Sequence, residues 1–267
     1  MNQIFRDYQL VTQLSRKAFS CLYLAQPIAA STENVVIRIF DSISADFVQE
    51  HFQKEINQIT HLRHPFILPL HSGGIEQGHP YLVSGYAPSD SLRNRIMALQ
   101  PRPFPLAKAL LTIVQLGQAL GYAHAWNILH TNIKPENVLF NAQDQALLAD
   151  FIPSSLTKDY LSRQQPDLQS ARYKAPEQLA GTESMESDQY ALGCIAYEIL
   201  TGQSPFTVIA LSTGQLKRTS EHPTPLTQII PGLPSMSMLQ YVKHWQMSQA
   251  HVTQALPPLW KRLPHIP

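Results

Sequence analysis

The segment His130-Thr131-Asn132-Ile133-Lys134-Pro135-Glu136-Asn137 crowds an imidazole, an ammonium, a carboxylate and two amides into one short stretch. An amide cannot take a proton near neutral pH, so Asn132 cannot serve as a general base. A second polar marker is Asp150, followed by Phe151 and Ile152. Taken alone, Asp150 reads as a strand-end residue whose carboxylate bonds nearby N–H groups. Near the N-terminus, Leu14-Ser15-Arg16-Lys17-Ala18-Phe19-Ser20-Cys21-Leu22 reads as a β-hairpin with a polar tip. Arg16 or Lys17 on that tip would attract an anion as a point charge.

The elements that must position these groups change character along the chain. Tyr8, Leu10 and Leu14 alternate with polar residues, apart from Val11; Cys21–Ala25 and Val35–Phe40 follow as short β-branched and aromatic runs. Such runs, separated by turns, predict an antiparallel meander. Residues 45–62 shift to helical spacing, with Phe47, Phe52, Ile56 and Ile59 as an apolar stripe. His64-Pro65 closes that helix, and strands are expected at Ile67–His71 and Tyr81–Ser84. Beyond Pro88 the pattern is helical: Leu106, Leu110, Ile113, Val114 and Leu120 mark one helix, and Asp188–Leu200 a second, buried one with Gly202 as C-cap. The Pro-rich piece His222–Pro234 reads as a long loop.

Composition narrows the function classes. The 267 residues suffice for a full core, and Lys plus Arg (20) nearly balances Asp plus Glu (19). A net charge of +1 gives no reason to invoke nucleic acid or an anionic membrane. No apolar run approaches the ~20 residues of a membrane span, and no signal peptide is visible. Two cysteines, Cys21 and Cys194, form no disulfide framework and fit a reducing cytoplasm.

The order of elements, with His130–Asn137, Asp150-Phe151-Ile152 and Ala175-Pro176-Glu177, resembles the protein kinase family, closest to bacterial serine/threonine kinases of the eukaryotic type. The match runs from about Tyr8 to Phe206. The resemblance implies an α+β, bilobal fold in a single domain over 1–267. A small antiparallel β-sheet lobe with one main helix would occupy about 1–84, a hinge 84–88, and a larger, mainly helical lobe 89–267. It implies ATP and Mg²⁺ as cofactors. Leu14, Leu22, Val36, Arg38, Glu55, Val83 and Leu139 would line the nucleotide site, with Val83 as gatekeeper; Asn137 and Asp150 would hold the metal; Asn132 and Lys134 stand in the catalytic loop.

Several positions depart from the family pattern. The proton-accepting aspartate is Asn132 and the arginine before it is Thr131. The three phosphate-loop glycines are Ser15, Lys17 and Ser20. The lysine of the third strand is Arg38, a planar fork where the family has a point charge. The alanine roofing the adenine is Val36, and the glycine after Asp150-Phe151 is Ile152. The resemblance further implies an Arg38–Glu55 ion pair, loop anchoring by Asp188, and a segment from Asp150 to Glu177 not switched by phosphate docking beside Thr131. Its candidate hydroxyls are Ser154, Ser155, Thr157, Ser162 and Ser170. Together these features point to a pseudokinase acting through protein partners, such as an active kinase or another signalling protein, with ATP binding weak or absent. A weakly active serine/threonine kinase and a nucleotide-responsive binding module are the alternatives.

Overall fold

The fold is that of a computed structural model, which describes residues 3–17, 19–29, 33–44, 47–161, 168–210, 216–218, 223–224 and 226–229. Ser162, most of the Pro-rich segment 222–234 and the stretch after it lie outside the described residues. In chain order the elements are β1 (Gln3–Phe5), β2 (Tyr8–Lys17), β3 (Ser20–Pro27), β4 (Val35–Phe40), α1 (Gln49–Thr60), β5 (Leu70–Glu76) and β6 (His79–Gly85). There follow α2 (Leu92–Leu99), α3 (Leu106–Ala125), a 3₁₀ turn (Pro135–Asn137), β7 (Val138–Phe140), β8 (Ala146–Leu148), α4 (Ser154–Leu161) and α5 (Leu168–Ala171). The last are α6 (Pro176–Leu179), α7 (Met185–Thr201), β9 (Val208–Ala210), β10 (Leu216–Arg218) and α8 (Leu226–Ile229).

The chain divides into two compact units, Met1–Pro88 with Ala149–Gln165, and Ser89–Leu148 with Pro166–Pro267. The inserted piece, which carries α4, lies within the span 89–267 that the resemblance assigns to the helical lobe.

The first unit is built on an antiparallel sheet of order β1-β2-β3-β4-β6-β5. Its core comprises Leu10, Ala25, Val35, Ile37, Tyr81 and Val83. α1 packs by the stripe the spacing predicts, with Phe52, Ile56 and Ile59 buried and Phe47 edge-on to Phe52. The helix stops at Thr60, before Pro65 is reached.

In the second unit α3 is apolar on a wide face, burying Ala109, Ile113, Leu116 and Leu120 among others. α7 is buried over nearly its whole length, as its unbroken apolar run demands. Ser184 caps its N-terminus by accepting from Ser187 N–H. Gly202 ends it at φ +73, a left-handed conformation in which an added Cβ would lie 2.6 Å from the Pro101 carbonyl. β7 and β8 form a short ladder just after the polar loop.

Candidate functional site

The polar loop sits between α3 and β7, and one buried carboxylate holds it. Asp188, 2% exposed, lies in the first turn of α7. Its oxygens accept from His130 N–H at 2.8 Å, Thr131 N–H at 2.7 Å and His124 Nε2 at 2.9 Å. A buried carboxylate needs such donors, and a loop backbone needs such acceptors. The anchoring role expected of Asp188 is therefore met. Thr131 is forced to φ +61, unfavourable for a β-branched residue, and its carbonyl accepts from Gln178 Nε2 at 2.5 Å. Asn132 N–H donates to His130 Nδ1, and its carbonyl accepts from Asn137 Nδ2 at 2.8 Å. Lys134 Nζ donates to Ser170 Oγ. The loop thus has a defined shape with no proton acceptor at position 132.

A second network, which no motif of the sequence marks, lies in the same unit. Arg93 of α2 donates to Glu136 at 2.8 Å, to Glu198 of α7 at 2.8 Å and to the Tyr173 hydroxyl. Tyr173 in turn donates to Glu198. Burial pushes the Tyr173 hydroxyl pKa up, and Glu198 adds to it. Burial alone would lower the Arg93 pKa, but Tyr173, Glu136 and Glu198 outweigh it and raise it. One signal was legible: Glu198 is a lone carboxylate in the apolar run of α7, and a buried charge requires a partner.

In the first unit the expected Arg38–Glu55 pair is replaced by two others. Arg38 Nη2 lies 2.8 Å from both oxygens of Asp150, with side chains 11% and 14% exposed. Nη1 reaches Ser20 Oγ at 3.4 Å. Asp150 takes φ +72, which turns the chain directly after β8. Glu55 is claimed by the start of α4: its carboxylate accepts from Ser154 Oγ at 2.5 Å, from Ser155 N–H at 3.1 Å and from Ser155 Oγ. The pair implied by the resemblance does not form, because α4 supplies three donors to the Glu55 carboxylate. At the far end of α4, Tyr160 stacks on Phe19 and Phe40 at 5.4 and 5.7 Å and donates to the Asp41 carbonyl.

Strand register sets which way the expected site residues face. Val36 pairs with Ser84, Ile37 with Val83 and Arg38 with Leu82. Residues opposite one another share a face, and a one-residue step reverses it. Val83 therefore faces the core with Ile37, while Ser84 lies on the face of Val36 and Arg38. Leu22 pairs with Arg38 and joins that face. Leu14 lies at a register shift and is exposed. Leu139, in the second unit, alternates with the fully buried Val138 and Phe140.

As they stand, these residues do not fit a metal-bound triphosphate. Arg38 Nη2 touches both Asp150 oxygens, so a metal at this carboxylate would have to share it with, or displace, the guanidinium. Ser20, where a phosphate loop has glycine, is buried beside Arg38.

Comparison with known proteins agrees with this geometry. The family model of the protein kinase domain matches residues 8–248. The chain is 27% identical to a probable serine/threonine-protein kinase PknB of Lactococcus lactis, over 88% of this chain and 38% of that protein. It is 30% identical to the serine/threonine-protein kinase PknE of Mycobacterium tuberculosis, over 86% of this chain and 41% of that one. The chain thus spans well under half the length of these relatives. The crystal structure of the M. tuberculosis PknI kinase domain superposes with a TM-score of 0.68 at 26% identity, covering 87% of this chain and 85% of that one. The anchored loop, the sheet with its single long helix and these matches together show that the chain belongs to the protein kinase domain family and has its α+β, bilobal fold.

Proposed function

We propose that the chain is a pseudokinase: a kinase-fold domain that transfers little or no phosphate and acts by binding other proteins. The observation that carries this reading is the closure of Arg38 on Asp150, which occupies the metal-ligating carboxylate. Asn132 supports it, because an amide in a well-anchored loop leaves no general base at that position. The partners are proteins, an active kinase or another signalling protein, and the compartment is a reducing cytoplasm, in keeping with only two cysteines, Cys21 and Cys194, both buried. No helix among the described residues is long and apolar enough to cross a membrane.

The test pairs a transfer assay with thermal melting. No metal-dependent autophosphorylation or transfer to generic protein substrates is expected. ATP with Mg²⁺ at 100 times a dissociation constant would add ~2.7 kcal/mol to stability, so a flat melting profile at millimolar nucleotide is the expected result. Stabilisation without turnover would point to a nucleotide-responsive module. Sustained transfer abolished by Asp150→Ala would overturn the proposal.

A further inference from the structure

A short β-ribbon in the second unit takes no part in holding the polar loop. β9 and β10 pair antiparallel, with Ala210 opposite Leu216, Ile209 opposite Lys217 and Val208 opposite Arg218. The root of the ribbon is fixed to the buried helix α7: Phe206 stacks on Tyr190 with ring centroids 6.2 Å apart, and Val208 is buried. α5 lies beside β9. Along β10, no further strand pairs among the described residues. A two-stranded ribbon is marginal on its own, and a third strand is what gives such a sheet independent stability. An edge strand also presents a row of N–H and C=O groups, a template for pairing with another chain.

Charge along this edge selects the strand that fits it. Between Glu198 and Glu221 the sequence has no carboxylate, while Lys217 and Arg218 are consecutive on β10. From 199 to 267, Glu221 is the single acidic residue beside five Lys and Arg. Lys217 is exposed and meets no carboxylate among the described residues, and Ile209 opposite it is 44% exposed. A strand laid along β10 sets one of its residues directly across from Lys217, in one row with Ile209. An Asp or Glu there meets the ammonium, whereas a Lys or Arg meets repulsion. An edge lysine thus blocks the wrong strands and admits an acidic one. A second copy of the chain is among the wrong ones, because antiparallel pairing of β10 with β10 about Lys217 puts like charges opposite each other. A nucleic acid or a lipid surface would use the cations but leave the edge groups without a strand.

We infer that β10 is a docking edge, and that a protein partner adds to it an extended segment with a carboxylate opposite Lys217. Main-chain hydrogen bonds supply the affinity, and the carboxylate supplies the choice of partner. The inference rests on the reading that the chain acts by binding proteins, and names one surface through which it does so.

The probe is a fluorescent hexapeptide alternating Val and Glu, blocked at both ends and titrated onto the full chain. Matching peptides alternate Val with Lys and Val with Thr. The Val–Glu peptide should bind about tenfold or more tightly than the Val–Lys peptide, less so in high salt, and should slow amide exchange at 216–218. N-methylation of alternate peptide N–H groups should abolish binding. Lys217→Glu, at an exposed position, should leave the melting temperature unchanged and reverse the preference between the two charged peptides. No binding of the Val–Glu peptide at millimolar concentration, equal binding of the Val–Lys peptide, or binding that survives N-methylation would each overturn the inference. So would a dimer of the chain, or a single-stranded oligonucleotide, that protects 216–218 as the peptide does. The transfer assay separates this edge from the pseudokinase reading. Peptide binding by a chain that also transfers phosphate keeps the edge and removes the pseudokinase, whereas neither binding nor transfer removes the edge alone.

Discussion

Replacing Arg38 by Met keeps most of the apolar stem and deletes the guanidinium, leaving Asp150 without the cation that now touches both its oxygens at 2.8 Å. An exposed pair would be worth at most ~1 kcal/mol. Here about nine-tenths of each side chain is shielded. Removing one partner of a buried pair costs about 3–5 kcal/mol, mostly through the stranded charge. The residual exposure places Arg38→Met at the lower end, about 3 kcal/mol. At roughly 2–4 °C per kcal/mol, the melting temperature should fall by about 6–12 °C. Asp150→Asn should cost less, because Arg38 can turn its charge toward solvent. A double-mutant cycle over Arg38→Met and Asp150→Asn in urea should show a coupling of about 2 kcal/mol. Adding Mg²⁺ gives an independent reading. The wild type should not be stabilised, whereas Arg38→Met, with a bare carboxylate, should gain stability with the metal. A coupling below about 0.5 kcal/mol, or equal Mg²⁺ stabilisation of wild type and variant, would refute the claim that Arg38 occupies the ligand position.

Asn132→Asp by itself should stay below the ~1–100 s⁻¹ typical of kinases in a steady-state assay, since Arg38 still closes on Asp150 and Ser15, Lys17 and Ser20 still replace the glycines. Glu198→Ala should destabilise by about 2–3 kcal/mol in denaturant unfolding, because Arg93 keeps Glu136 but loses one of its two carboxylates and the Tyr173 hydroxyl loses its acceptor, while Tyr173→Phe, which removes only a hydroxyl, should cost about 1–2 kcal/mol. The Asp144 carboxyl pKa is held below its ordinary value by Lys108 first and Arg95 second. A depressed carboxylate contributes stability above its unfolded pKa and loses it as the pH falls through the folded one. Acid destabilisation below about pH 4 should thus be shallower in Asp144→Asn, by under ~1 kcal/mol because the side chain is half exposed, and the difference should shrink in high salt.

The chemistry of the polar loop was legible without a structure because it is local. His130 to Asn137 are chain neighbours, and an amide at position 132 excludes a general base whatever surrounds it. α1, α3 and α7 were legible too, since 3.6-residue periodicity and a terminal glycine are properties of short windows. The face that Val83 takes was not legible, because alternation says that faces differ but only the ladder with β4 says which face is which. The pairings of Arg38 and Glu55 were beyond sequence reading for a deeper reason. Arg38 had two carboxylates to choose between, one 17 and one 112 positions away, and Coulomb attraction carries no record of chain distance. The choice fell to α4, whose burial of Leu156 and Tyr160 in the first unit sets two serine hydroxyls on Glu55 and leaves Asp150 to Arg38. Sequence alone showed which groups the chain has lost; tertiary packing decided what the remaining charges hold.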